Sequence, residues 1–525
     1  MSFAYNEVQY DSHPYRLSHP ERLYTLARLF GLKPEHFTHA RILELGCASG
    51  GNIIPVAYNF PDCEIIGIDL SDKQIEAGNR LVAALNLSNI KLLTMSILEL
   101  EPSLGKFDYI ICHGIYSWVP EPVRNKILNI FRDHLAPQGV AYISYNAYPG
   151  WNMVHSIREM MLFHTQNCAN PQEQATQSRW FLEFLANGLK DEGSAYAEFL
   201  GHEWALLQKQ PDSYLLHDHL EEVNFPAYFA TFMKQANANN LDYLADAKLY
   251  TMFAGNFPEK TAKILGEISN IVRNGQYMDF IRNQRFRTIL LCPNTVKINR
   301  QITTEQVETF YIHYMASPVN TNLSSMEILS DTYPLTFPGS GITLTVKSPI
   351  SKIAMILLQS YNQFPILYTD FINELQAKLA EYNIHQTLEF IKHHINHELN
   401  LIRLVFGGII DLSSQAGLYL NYCSEMPKVT RLVQEQAKLR DLITNQRHEV
   451  IRLNDFERSL VQFLDGQTTK DAIVQAVIKK IKQGALQLST DLLDLSANEQ
   501  IIAQKVHGFC EQSYSRFVNN ALLVN

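Results

Sequence analysis

Ala40-Arg-Ile-Leu-Glu-Leu-Gly-Cys-Ala-Ser-Gly-Gly51 limits what this chain can fold into more than any other stretch. Arg41 to Leu45 reads as a strand, Gly46 to Gly51 as a glycine turn, and a helix starts beyond it. A second apolar run, Cys63-Glu-Ile-Ile-Gly-Ile-Asp69, ends in a carboxylate. Strand, glycine turn, helix, strand and terminal acid form the nucleotide-binding half of a doubly wound sheet, with the acid placed to accept from ribose hydroxyls.

The details turn the reading away from a dinucleotide. A pyrophosphate site needs G-x-G-x-x-G so that backbone can approach it. Here Ala48 stands where the second glycine should be, and Glu44 precedes Gly46 by two residues. A carboxylate there would repel pyrophosphate and suits a ligand with a cationic end. The pattern E-x-G-x-x-x-G, from Glu44 through Gly46 to Gly50, resembles motif I of class I methyltransferases, and Asp69 resembles their ribose-binding acid. The resemblance implies S-adenosyl-L-methionine as cofactor. It implies Tyr10, Glu44, Gly46, Cys47, Ser49, Gly50, Asn52, Asp69, Leu70, Gln74, Ser96, Ile97 and His113 as the residues around it.

The following elements fit that core. Ser71-Asp-Lys-Gln74 is a capping-box pattern opening a helix to about Leu85. Ile90 to Met95, Phe107 to Cys112 and Val140 to Tyr145 read as strands three to five. A helix from Pro122 to Leu135 and a Pro137-Gln-Gly turn precede the fifth. Strands alternating with helices predict an α/β fold, a parallel sheet covered on both faces. A Rossmann-like, seven-stranded core needs two more strands, expected at Leu241 to Ala247 and Arg285 to Cys292. The predicted organisation is a first part of the core over 1–165, a helical insertion over 166–212 that serves dimerisation or caps substrate, and a completed core over 213–295. Two smaller α+β winged-helix-like domains follow, over 296–410 and 411–525. Leu335 to Val346 has hairpin chemistry, and three helical stretches are expected near 350–361, 367–382 and 386–402.

A winged helix invites a DNA reading, but the helix Tyr368 to Glu381 is net acidic, and 53 acids against 44 bases give the chain a net charge of -9. Phosphate attraction dominates DNA affinity, so nucleic acid is excluded as the expected partner in favour of a basic, lysine-bearing protein. The seven cysteines are scattered and never in C-x-x-C spacing, which fits reduced cytosolic thiols. No signal peptide is legible, and no apolar run approaches the ~20 residues of a membrane span, so a cytoplasmic location is expected. His393 and His397 share a helical face, but no third ligand is evident and no metal is expected.

Tyr10-Asp-Ser-His-Pro-Tyr15, Leu43 to Asn52, Gly114 to Pro120, Tyr145 to Trp151, Tyr214 to Pro226 and Leu464-Asp-Gly466 together resemble methyltransferases with a methyltransferase regulatory domain. The rickettsial protein-lysine methyltransferases of outer membrane protein B are among them. The resemblance implies a cytosolic, homodimeric enzyme that methylates lysines of a protein, with a surface protein as one possible acceptor class.

A lysine acceptor must be neutral, against a reference pKa of ~10.4, and burial among aromatics lowers it. Acceptor groups are expected beyond the ends of strands four and five: His113, Tyr116 and Trp118 after the fourth, Asn146, Tyr148 and Trp151 after the fifth. Tyr and Trp faces can hold a methylammonium, Asn146 and Tyr148 can orient the amine, and His113 can relay a proton. The alternatives are a small-molecule O- or N-methyltransferase, with the insertion as lid, and a non-catalytic cofactor-binding adaptor.

Overall fold

The structure, a computed structural model, describes residues 12–221, 223–484, 486 and 499–525. Its centre is a seven-stranded sheet of β1 (Arg41–Leu45), β2 (Glu64–Asp69), β3 (Ile90–Thr94), β4 (Phe107–Cys112), β5 (Leu135–Asn146), β6 (Leu241–Asp246) and β7 (Phe286–Pro293). The order is β3-β2-β1-β4-β5-β7-β6. The first five strands run parallel, and β7 lies antiparallel to both β5 and β6. The parallel strands are apolar on both sides because both faces are covered. In β1, Ile42 packs into one apolar cluster and Leu43 into the other.

The fifth strand starts earlier than expected. Phe107 pairs with Leu135 and Tyr109 with Val140, so the ladder slips between them. Pro137-Gln-Gly is therefore an irregularity inside one long strand rather than a turn before a short one, as a residue without an N–H dictates.

Between β5 and β6 the chain forms the helices Trp151–Thr165, Pro171–Gly188, Ala195–Leu207 and Asp212–Asp218. They enclose their own apolar centre, with Ile157, Met161, Leu182, Leu200 and Leu215.

Beyond β7, β8 (Tyr311–Tyr314) is the middle strand of an antiparallel sheet in the order β11-β8-β12, and β9 (Leu335–Pro338) pairs with β10 (Thr343–Val346) as a hairpin. The outer strands are β11 (Ile366–Leu367) and β12 (Ile410–Ser413). Ile312, Phe337, Leu375 and Leu412 of this segment share one continuous cluster with Ile42, Ile111 and Tyr142 of the large sheet. The segment thus joins the helices Pro20–Leu29 and Asp72–Leu85 in the core on one sheet face. The helical stretch expected over 386–402 is broken: Leu388–His393 runs into a π turn, His394–Glu398, and Asn400, at φ +62°, caps a new helix, Leu401–Phe406. Short polar Asn tolerates the left-handed conformation that ends one helix and starts the next.

The last segment has a separate core around Val433, Leu460, Val477 and Phe517. It includes a hairpin of β13 (Leu442–Thr444) and β14 (Val450–Arg452). Among the described residues no helix is long and apolar enough to cross a membrane, and no group of three His, Cys, Asp or Glu could hold a metal ion.

Candidate active site

The glycine turn is tied to β2 from the start. The N–H groups of Gly46 and Cys47 both donate to the Ile68 carbonyl, at 2.9 and 3.0 Å. Gly46 has φ +72°, and a Cβ there would lie 2.3 Å from the Ile115 side chain, so the turn needs glycine. The Ala48 N–H donates to Asp69 Oδ2 and the Ser71 N–H to Asp69 Oδ1, both at 2.9 Å. Asp69 therefore clamps the glycine turn to the start of the helix Asp72–Leu85. Each oxygen keeps a lone pair for a ribose hydroxyl. Burial raises its carboxyl, and the backbone donors pull it back.

Glu44 is buried. Its Oε1 accepts from Asn52 Nδ2 at 2.7 Å, whereas Oε2 has no partner among the described residues. Burial first, then the nearby Asp69, push this carboxyl up to about 8, against the pull of Asn52. A buried carboxylate oxygen left open beside a glycine turn is costly until something cationic reaches it. The residues present thus fit a cofactor with an ammonium end.

The other expected cofactor residues line the same edge. Leu70 is 63% exposed at the end of β2. Gln74 is buried in the first turn of the helix that follows. Ser96 caps the short helix Ile97–Glu99, with Glu99 reciprocating. Cys47 is buried, with burial pushing its thiol up. A Cβ on Gly78 would sit 2.7 Å from the Ser49 carbonyl, and one on Gly50 would crowd Ile54 and Leu92. Tyr10 lies outside the described residues.

An N-terminal strap closes over this turn. The Gly51 N–H donates to Ser12 Oγ at 2.7 Å, and the Tyr15 N–H to Asn52 Oδ1 at 2.9 Å. The Tyr15 ring lies on His113, centroid to centroid 3.7 Å.

The six expected acceptor-side residues separate. His113 Nδ1 pairs with Tyr142 Oη at 2.9 Å, and burial lowers its pKa to about 3. Its half-buried ring forms one wall of the cavity described below, where loss of solvent disfavours the protonated form. Tyr116 is 1% exposed and turned under the sheet, donating to Gln235 Oε1 at 2.9 Å against Phe232 and Tyr145. The short helix Tyr116–Trp118 rotates it into the core of the opposite face, so Tyr116 is packing. Trp118 meets Trp151 edge-on at 6.0 Å, beside His219 rather than beside His113. Asn146 is buried, with its backbone bonded to Ser117 Oγ and Ala227 and its Nδ2 without a partner among the described residues. Tyr148 is half-buried 5.2 Å from the Tyr228 ring, and burial raises its phenol, so it stays protonated and able to hydrogen-bond.

A cavity of about 620 Å³ opens beside His113 and Tyr142. Its walls include Tyr15, Phe286 and Thr288, the Ser340-Gly341 turn and Glu449. Arg287 lies in its floor, 2.8 Å from Asp246 Oδ1 through Nη1 and 2.8 Å from Asp279 Oδ2 through Nε, with all three side chains buried. Sequence reasoning passed over this triad. Its signal was an arginine inside an otherwise apolar strand, which must be paired to be buried.

Family models match three stretches: a methyltransferase domain over 42–139, a predicted methyltransferase regulatory domain over 211–293 and a PKMT C-terminal winged helix domain over 425–522. The chain is 40% identical over 527 residues to an uncharacterized protein of Rickettsia prowazekii (strain Madrid E), covering 99% of this chain and 93% of that one. The structure of PKMT2 from Rickettsia typhi is 32% identical with a TM-score of 0.87, over 98% of this chain and 100% of that one. The same enzyme in complex with AdoHcy gives 0.88 at the same identity and coverage.

Proposed function

The chain belongs to the protein-lysine methyltransferase (PKMT) family of S-adenosyl-L-methionine-dependent methyltransferases, and we propose that it methylates lysine side chains of a protein substrate. The observation that carries this reading is likeness to PKMT2 along the whole chain, both tail segments included. A small-molecule methyltransferase would need only the sheet.

When bound, S-adenosylmethionine supplies an electrophilic methyl group on a sulfonium. In our reading Glu44 Oε2 receives the cationic amino end, Asp69 the ribose hydroxyls, and Leu70, Ser96 and Ile97 the base. His113 is kept neutral by burial, so it adds no positive charge beside a sulfonium. In this reading the acceptor lysine enters by the cavity and loses water against Tyr15, Tyr142 and Phe286, and Asn146, paired with Phe286 at the end of β5, is the amide that orients it. The residues of the chain would hold the neutral lysine nitrogen in line with the methyl group that the cofactor supplies and shed its water, its proton passing to solvent. The protein's contribution is position and desolvation.

Two finer readings accompany this. We propose a homodimer, supported by an uncovered aromatic face on the helical unit, where Trp180 and Phe184 stack at 5.7 Å. A cytoplasmic setting, away from nucleic acid, is supported by seven free cysteines and the acidic balance.

The test uses purified protein, methyl-labelled cofactor, and lysine-bearing acceptor proteins with and without prior chemical blocking of their lysines. Label in unblocked protein, mapped to lysine by mass spectrometry, is expected. Label found only in small molecules, or equal label on blocked protein, overturns the reading.

A further inference from the structure

The turn of the β13–β14 hairpin, residues 445–449, sits against the methyl-donor site. It is anchored to the end of the chain, since Asn445 Nδ2 donates to the Asn520 carbonyl and the Arg447 guanidinium to that of Asn519. His448 projects from this turn with φ +60° and is buried. Its Nε2 lies 2.9 Å from Asn52 Oδ1.

The direction of that bond is fixed by its neighbours. The Tyr15 backbone N–H can only donate, and it donates to the same Asn52 oxygen. Asn52 Oδ1 is therefore the acceptor, and His448 must donate through Nε2. The amide hydrogens of Asn52 are then committed to the other side, to Glu44 Oε1 at 2.7 Å and Ser18 Oγ at 3.1 Å. His448, Asn52 and Glu44 form one relay, ending at the carboxylate whose second oxygen is open. A second tie runs beside it: Arg440 Nη1 donates to the Ser12 carbonyl at 3.2 Å, and Ser12 Oγ holds the Gly51 N–H. A third seats the same domain on the core, through Arg431 Nη2 to the Ala84 carbonyl at 2.6 Å.

We infer that His448 is a positioning residue for the donor site: through Asn52 it fixes Glu44, so that cofactor binding and the seating of the C-terminal domain are coupled. Coupling of this kind is reciprocal, and the cofactor must hold the hairpin as firmly as the hairpin prepares the site. The inference rests on the cofactor part of the proposed function and is independent of the acceptor.

The experiment measures AdoHcy affinity by calorimetry on the full chain, comparing the natural protein with His448→Ala and His448→Gln. The strain of a left-handed residue is the same in both variants. Glutamine can still donate to Asn52 Oδ1; alanine cannot. Loss of one buried hydrogen bond predicts affinity weakened about fivefold to tenfold for His448→Ala, mostly restored in His448→Gln. The KM for S-adenosylmethionine should rise likewise in His448→Ala, with kcat at saturation changed less than about twofold, since the relay touches no reacting atom. In the natural protein, AdoHcy should slow hydrogen exchange of the amides over 445–449. Unchanged affinity in His448→Ala, glutamine no better than alanine, or unaltered hairpin exchange each overturns the coupling. If His448→Ala fails to fold, the glutamine variant and the exchange measurement decide. Failure of the natural protein to bind AdoHcy would instead overturn the donor-site reading itself.

Discussion

Replacing Glu44 with Gln separates the charge of the donor-site carboxylate from its shape. In the natural protein Oε1 accepts from Asn52 and Oε2 is open, and a glutamine keeps the first contact. Burial lifts this carboxyl from 4.5 to about 8. Between those values the folded chain holds a proton that the unfolded chain has released. Stability from this group is therefore complete below about 4.5 and falls as pH rises through about 8. The difference corresponds to on the order of 3–5 kcal/mol between neutral and ionised forms. Glu44→Gln should thus match the natural protein in thermal melts near pH 5 and exceed it by that order near pH 8.5. Binding runs the other way. A charge-assisted hydrogen bond to a ligand ammonium contributes ~1.5–3 kcal/mol, so the variant should bind AdoHcy roughly tenfold to a hundredfold more weakly at pH 8.5. At pH 6.5 the free carboxyl is mostly protonated and binds much as glutamine does, so the gap shrinks to within about fourfold and binding releases about 0.2–0.7 proton per AdoHcy. Calorimetry in two buffers of different ionisation enthalpy counts that proton. Equal affinities at pH 8.5, or binding with no proton release at pH 6.5, would refute the assignment of Glu44 to the cationic end.

Asp69→Ala removes the acceptor of two backbone N–H groups, Ala48 and Ser71, and the acid we assign to the ribose. It should lower stability by ~1–2 kcal/mol and AdoHcy affinity at least about tenfold, and unchanged calorimetric affinity would dismiss it from the site. Asn146→Ala should slow methyl transfer about tenfold with AdoHcy affinity intact; an unaltered kcat removes Asn146 from the acceptor path. Arg287→Ala strands Asp246 and Asp279 as buried carboxylates, which should cost ~3–5 kcal/mol in denaturant unfolding at pH 7. A loss below about 1 kcal/mol would mean that the triad is not desolvated as described.

The donor half of the site was legible because it is local. Glu44, the glycines and Asp69 lie within one strand–turn–helix–strand unit, and hydrophobic pattern alone places all four on adjoining strand ends. Asn52 could be listed from the same stretch, but not its role. Its partners Tyr15 and His448 arrive from opposite ends of the chain, and no local pattern reports a contact between residues 396 positions apart. The cover of the sheet was hidden for a related reason. The segment beyond β7 has its own strands and helices, so it reads as a separate unit, although Phe337 and Leu375 complete the same apolar cluster as Ile42. Composition cannot distinguish a small core from one side of a larger one.

The acceptor half was harder because it depends on parity. In a strand, alternate residues face opposite sides, and a slip of one position reverses them all. Glu44 pairs with Ile111 on β4, and Ile111 with Tyr142 on β5. These three face one way, which puts His113, Ser144 and Asn146 on the Glu44 side and Cys112 and Tyr145 on the other. Tyr116 follows Tyr145 into the far cluster, whereas Asn146 stays with the cofactor face. Position beyond strands four and five makes Tyr116 and Asn146 alike candidates for the acceptor side; register divides them, and register is what a single sequence leaves unstated. The Glu44 face is also the one covered by the segment beyond β7 and edged by Glu449 of the last domain. An acceptor approaching Asn146 must therefore pass between the sheet and these tail segments. The cavity on that face is lined jointly by the N-terminal strap, at Tyr15 and Arg16, and by the later segments, at Ser340, Gly341 and Glu449, so the entrance we propose is built from both ends of the chain.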